Sequence, residues 1–254
     1  MQTGTGKGNR IMNTLNIAKK GLLLLGMLAS SVAFAAGSSV HLDKAPVNLG
    51  DQASLQRGAK TFVNYCLNCH SAAYMRYNRL QDIGLTEEQI KNELILTGAK
   101  VGDLMKVPMS AKEAKQWFGA APPDLSVIAR SRGPNWLYTY LRGFYRDDSR
   151  PTGWNNTAFD KVGMPHVLYE LQGEQVLKHE GKDDHTGKLV LEKPGKLPVA
   201  EYDALVGDLV NYLVFMGEPV KAKRPLIGIF VLLMLAGLFV VSYMLKKEYW
   251  KDVH

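Results

Sequence analysis

Cys66-Leu67-Asn68-Cys69-His70 sets two thiols three residues apart, with an imidazole directly after the second. That is the pattern of covalent c-type haem attachment. Each thiol adds across a haem vinyl group, and the two residues between let both sulfurs reach their vinyls from one turn of chain. His70, fixed beside the second thioether, then has its imidazole delivered to the iron. A group held at two carbons and one axial bond cannot leave, which suits an electron carrier outside the cytoplasm. Other chemistries use the same residue types. A structural zinc site needs four ligands from paired Cys and His groups, but the chain has 2 cysteines, both in the motif. A thioredoxin-like Cys-x-x-Cys opens a helix after a strand, whereas Ser54 to Tyr65 reads as helix leading into the motif. A disulfide between residues three apart would close too short a loop to stabilise much.

A sixth ligand is the next requirement. A methionine thioether opposite the histidine raises the potential and fills the site, which favours electron transfer over ligand chemistry. Of the 10 methionines, those outside the leader and the apolar C-terminal run are Met75, Met105, Met109, Met164 and Met216. Met75 is too near His70 to reach round the ring, and Met216 falls on the apolar face of a helix. Met105 and Met109 lie in a lysine-bearing loop. Met164 sits in Val162-Gly163-Met164-Pro165, where glycine permits close approach to a macrocycle and proline stiffens the loop. Loop chemistry favours Met164 and leaves Met109 and a second histidine, His166, as alternatives.

These residues must be carried by a framework with two special ends. Lys19 and Lys20 precede an apolar run to Phe34, and Ala33-Phe34-Ala35 is a small-x-small cleavage site, so residues 1–35 read as a signal peptide; Met12 onward already makes a complete one. Pro225 to Leu245 is 21 residues without a charge, about 31 Å of helix, enough to cross a bilayer core. Lysines and arginines bracket it, and Tyr249 and Trp250 supply interfacial anchors. The expected organisation is residues 1–35 leader, 36–220 exported haem domain, and 221–254 transmembrane anchor with a short cytoplasmic tail. The net charge of +7 lies at these ends: between Ala36 and Val220 there are 21 lysines and arginines against 22 aspartates and glutamates. Nothing there points to nucleic acid.

The domain between reads as mainly α, with long loops. Helices are expected over Ser54–Tyr65, from a capping box at Thr86 to Gly98, from another at Ser110 to Phe118, from an Asn135 cap to Gly143, and over Asp203–Met216. The last should show one apolar face and pack on the first. Val176–Glu180 and Lys188–Glu192 read as a hairpin around the polar Gly181–Gly187 loop. No constellation of a catalytic acid, base or nucleophile stands out, so the isolated chain is expected to relay electrons without catalysing a reaction.

The Cys-x-x-Cys-His motif, then Ala121-Pro122-Pro123-Asp124-Leu125-Ser126, then Gly163-Met164-Pro165, then a single C-terminal apolar helix resembles the cytochrome c1 family, the haem subunit of quinol–cytochrome c oxidoreductases. The resemblance spans the mature chain, and the bacterial-style leader suggests a Gram-negative source. It implies a class I cytochrome c-like fold, one covalent haem c, and Met164 as sixth ligand. It further implies that Pro122 and Pro123 pack beside the haem, that Arg132 pairs with a propionate, and that Trp136 occupies the aromatic position near the ring. The implied work is a one-electron relay from a Rieske iron–sulfur protein to an acceptor cytochrome c, beside cytochrome b in a dimeric complex of the inner membrane, with the haem domain periplasmic. The alternatives are another anchored monohaem cytochrome c donating to a terminal oxidase, or a tethered thiol–disulfide oxidoreductase.

Overall fold

The computed structural model describes residues 41–179 and 187–252. The expected leader and most of the polar Gly181–Gly187 loop lie outside the described residues. The first helix, α1 (Gln52–Thr61), starts where the Asp51 carboxylate accepts the Ser54 N–H at 3.0 Å, a side-chain N-cap. It runs on into one wider π-helical turn, Phe62–Cys66, closed by the Leu67 N–H on the Phe62 carbonyl. The expected helix is therefore present, and its wider last turn delivers Cys66.

After the motif, β1 (Ala72–Arg76) pairs antiparallel with the short β2 (Leu104–Met105). Between them the Thr86 capping box forms as expected, with Gln89 as its partner. The helix it starts is shorter than expected. α-Helical geometry lasts only through Glu87–Gln89, a π-helical turn takes Ile90–Leu94, and Ile95 leaves helical dihedrals. Ile90 and Leu94 are buried as their spacing implied. The next helix, α2 (Ala111–Phe118), is capped by Ser110, whose hydroxyl accepts the Glu113 N–H.

Asn135 does not cap α3 (Pro134–Arg142). The helix opens on Pro134 after Gly133, where a residue without an N–H is tolerated. The Asn135 side chain instead accepts the Ala45 N–H, and Thr139 one turn on accepts that of Asp43. Together they pin the entering chain along α3. Two ribbons follow: β3 (Phe144–Arg146) with β4 (Trp154–Asn156), and β5 (Gly173–Lys178) with β6 (Lys188–Pro194). The second is the expected hairpin, longer by a few residues and bulged at Glu174 and Gln175.

The penultimate helix, α4 (Val199–Gly217), packs across α1 as expected. Leu55 and Ala59 of α1 and Phe62 of the turn after it share one buried cluster with Val206, Leu209, Val210 and Leu213 of α4, and the rings of Phe62 and Tyr212 lie 5.5 Å apart. Gly58 makes the crossing close. A Cβ there would overlap the Asp208 carbonyl oxygen and lie 2.7 Å from the Tyr212 Cβ. The single apolar face expected for α4 is too modest: every residue from Leu209 to Met216 is buried, because α1 and α3 both cover the helix. Its interior amide side chain, Asn211, is fully bonded, donating to the Asn48 carbonyl and to Ser54 and accepting from the Asn48 N–H. The last helix, α5 (Arg224–Tyr249), buries none of its residues in the protein and is long and apolar enough to cross a membrane. The described chain is thus mainly α with three two-stranded ribbons, the fold class expected.

Candidate haem site

The motif occupies the turn after α1. The Cys69 and His70 N–H groups both donate to the Cys66 carbonyl, at 3.1 and 2.9 Å, which folds the five residues into a single compact turn. The two thiols are not joined to each other. Cys66 packs against the main core, and withdrawal from water pushes its thiol up to about 12. A thiol–disulfide catalyst needs its attacking sulfur as a thiolate, with a lowered pKa. This thiol is shifted the other way.

His70 is oriented by a carbonyl. Its Nδ1 lies 2.7 Å from the Pro123 oxygen, and a carbonyl can only accept, so Nδ1 carries the proton and Nε2 keeps a free lone pair. Burial holds the imidazole below its ordinary value, opposed by the Pro123 bond and by Asp124, so the ring is neutral at pH 7. A neutral histidine whose outer nitrogen is tied to a carbonyl is the arrangement of a metal-ligating imidazole.

The segment that supplies Pro123 is stitched to the chain leaving the motif. The Asp124 carboxylate accepts from Ala73 N and Ser126 N, the Ser126 hydroxyl accepts from Tyr74 N, and Leu125 N donates to the Ser71 carbonyl. Burial works against ionising Asp124, but its bonds from Ser126 and Ala73 outweigh that and hold it below the usual carboxylate range. The Pro-Pro-Asp-Leu-Ser run is therefore a bracket that sets the height of the Pro123 carbonyl over His70. Pro122 is half-buried beside it.

The second group of site residues is organised by α3. Trp136 and Tyr140 share one face of α3, with Arg132 just before the helix and Phe144 at the start of β3. The Arg132 guanidinium lies 5.2 Å from the Trp136 ring centre, Trp136 stacks on Tyr140 at 4.8 Å and 12°, and Tyr140 meets Phe144 edge-on at 5.1 Å. The Tyr140 hydroxyl donates to the Met164 sulfur at 3.4 Å. Met164 packs on the small cluster of Phe144, Trp154 and Val162, and Tyr140 touches both that cluster and the main core. Arg132 is exposed, and its contacts are with aromatic faces.

Met109, the methionine alternative, is half-buried in the loop between β2 and α2, and the other candidates lie in the core. Met75, Met105 and Met216 are core residues, Met105 wholly buried with the Tyr212 hydroxyl on its sulfur. His166 is only 3% exposed, stacked on Phe144 at 4.7 Å and 2° and edged by Trp154. Burial lowers it to about 4, opposed by the Gln172 side chain, and its Nε2 has no hydrogen-bond partner, so it is a neutral core ring. Among the described residues no group of three or more His, Cys, Asp or Glu side chains is arranged to hold a metal ion, so the two cysteines and His70 do not assemble a zinc cage. What they offer fits a covalently held porphyrin: two separate thiols, one imidazole lone pair, and one thioether in an apolar, aromatic setting.

Sequence reasoning missed Tyr140, Asp124 as a bracket, and the Asn155–Asn156 pair. The four-residue spacing of Trp136 and Tyr140 was the available signal for Tyr140. The asparagines carried none, since their role depends on partners distant in sequence.

Residues 43–189 match the model of the Cytochrome C1 family. The chain is similar to the ammonia monooxygenase gamma subunit of Nitrosomonas europaea, 57% identical over 235 residues that cover 92% of this chain and 98% of that protein. It is also similar to cytochrome c1 of Allochromatium vinosum, 50% identical over 234 residues that cover 90% and 96%. A chain of Hyperthermophilic respiratory Complex III is similar at a TM-score of 0.42 and 16% identity, over 96% of this chain and 99% of that one.

Proposed function

The chain belongs to the cytochrome c1 family, which carries one covalent haem c, and from that premise we propose that it relays single electrons from a Rieske iron–sulfur protein to an acceptor cytochrome c within a quinol–cytochrome c oxidoreductase. Cys66 and Cys69 would hold the haem by thioethers, and His70 Nε2 and Met164 Sδ would be the side-chain donors to its iron. When bound, the haem supplies a one-electron iron couple whose potential follows its ligands and burial. The observation that carries the reading is the His70–Pro123 hydrogen bond, which presets a free imidazole lone pair beside two unjoined thiols.

The chain's own residues do modest, physical work. The Asp124–Ser126 bracket keeps the imidazole aimed and prevents its turning away. Trp136 and the Phe144 cluster exclude water from the Met164 side, Pro122 flanks the Pro123 carbonyl over His70, and Arg132 presents a cation that suits a propionate. Residues 221–254 act as anchor and cytoplasmic tail, α5 holding the haem domain of residues 36–220 at a fixed height beside cytochrome b, on the periplasmic face of the inner membrane after removal of residues 1–35. The mature complex is dimeric.

The test is purification of the intact chain from detergent-solubilised membranes through a C-terminal tag. Cytochrome b and a Rieske protein should co-elute, and added quinol should reduce the haem in that preparation. The Nitrosomonas relative bears the name of a monooxygenase subunit, so co-elution with monooxygenase subunits in place of cytochrome b would overturn the assignment. Loss of haem from the denatured chain on a gel would remove the cytochrome reading altogether.

A further inference from the structure

Met164 is reached by two sets of hydrogen bonds that meet. The first is the Tyr140 hydroxyl on its sulfur, at 3.4 Å. No other hydrogen bond occupies that hydroxyl among the described residues, and the ring behind it is locked between Trp136 and Phe144. The second set centres on Asn155 and Asn156, which are 4% and 1% exposed. Asn155 donates to Asp147 and to Asp160, and its oxygen accepts the N–H groups of Asn156 and Lys161. Lys161 is the only described residue besides glycine with positive φ, at 57°. That backbone state costs free energy unless surrounding bonds hold it, and it sits three residues before Met164. Asn156 donates to the backbone carbonyl of Tyr140 at 2.7 Å, while its oxygen accepts from Ala158 N and Phe159 N. One asparagine therefore fixes the loop that presents Met164, and its neighbour fixes that loop to Tyr140.

We infer that Tyr140 is the positioning residue for the Met164 sulfur, and that Asn155 and Asn156 lock ligand loop and tyrosine into one hydrogen-bonded unit. The inference rests on Met164 as axial ligand. A thioether has two lone pairs. A hydroxyl directed at one leaves the other for iron, restricts rotation about the last side-chain bonds, and withdraws electron density from the sulfur. A poorer donor favours the reduced form of iron bound to it. The unit thus sets both how firmly the sixth position is closed and where the potential lies. No proton moves in this account.

The experiment uses the full-length haem-loaded protein in detergent, with Tyr140→Phe, Asn155→Ala and Met164→Leu beside wild type. Tyr140→Phe keeps the ring and its stacking and removes only the hydroxyl. At the wild-type midpoint potential its ratio of reduced to oxidised protein should fall about threefold, the scale of one neutral hydrogen bond felt unequally by the two states. Its methionine–iron charge-transfer band should shift, and imidazole should displace the thioether at lower concentration. Asn155→Ala should show the same easier displacement. An unchanged potential, band and imidazole titration in Tyr140→Phe would overturn the inference, since a structural role alone predicts that. Met164→Leu separates the two failures. If it abolishes the band while Tyr140→Phe is silent, the positioning role is wrong; if it leaves the band intact, the ligand assignment beneath it is wrong.

Discussion

Gly58→Ala is the sharpest probe of how the fold holds its site, because the structure sets competing effects of known size against each other. In an exposed helix interior, alanine in place of glycine gains about 1 kcal/mol. At Gly58 the new methyl would overlap the Asp208 carbonyl oxygen and crowd Tyr212 at 2.7 Å. The first of these is backbone and cannot rotate away. Restoring contact distance needs α1 and α4 to separate by about 1 Å, which forfeits a quarter to a half of each contact across the crossing. Overpacking of this kind costs about 1–3 kcal/mol, and a clash with backbone puts Gly58 at the upper end. The propensity gain offsets part of that, leaving a net loss of about 2 kcal/mol. For a domain of this size that corresponds to a fall in melting temperature of about 4–8 °C. Guanidinium unfolding of the haem-loaded protein, followed by far-UV circular dichroism and by haem absorbance, should show a lower midpoint with the slope unchanged. Gly98→Ala is the control, since a Cβ at Gly98 meets nothing within 4 Å. Should Gly58→Ala melt with wild type or above it, the two helices are not in backbone contact and the account of the crossing is wrong.

Two further outcomes follow from the site. Asp124→Ala removes the acceptor for Ala73 N and Ser126 N, and should destabilise the domain by about 1 kcal/mol, with Asp124→Asn losing less because it retains one acceptor oxygen; equal midpoints for all three in guanidinium would refute the bracket. His166 has its folded value lowered from 6.5 to about 4 by burial, so stability is complete above pH 6.5 and falls as the pH drops toward 4, where the unfolded chain takes up a proton that the folded one refuses. At 1.36 kcal/mol per unit this amounts to about 3 kcal/mol. Unfolding midpoints measured across that interval should show wild type losing stability relative to His166→Leu as the pH falls, and parallel curves would show that His166 ionises freely in the fold.

The motif residues and the long elements were legible in the chain alone. Cys66, Cys69 and His70 are adjacent in sequence, so their chemistry is a matter of covalent spacing. The apolar periodicity of α1 and α4 and the uncharged run of α5 reflect local regularities that burial imposes on any helix. Pro122 and Pro123 came from resemblance, and the fold supplies the reason for the second: its carbonyl is the acceptor that orients His70. Helix ends were the weak point. Asn135 has the residue type of a cap, yet its side chain bonds to Ala45, 90 positions away, and the turn after Thr86 widens and stops where no composition signal marks it.

Gly163 and Pro165 already favoured Met164 in the chain, and tertiary contacts removed Met105 from the alternatives. Met105 and Met164 are the same residue type, one in β2 and the other in a Gly-Met-Pro loop. One is sealed into the core beneath Tyr212, while the other lies partly accessible under the Tyr140 hydroxyl. His166 likewise looked available until Phe144 and Trp154 were seen to enclose it. The chain by itself determined which groups can bond to a haem, because reactivity belongs to residue type and covalent neighbourhood. Only the folded structure decided which of them are free to do so, because burial and hydrogen-bond partners are set by segments that meet across long stretches of sequence.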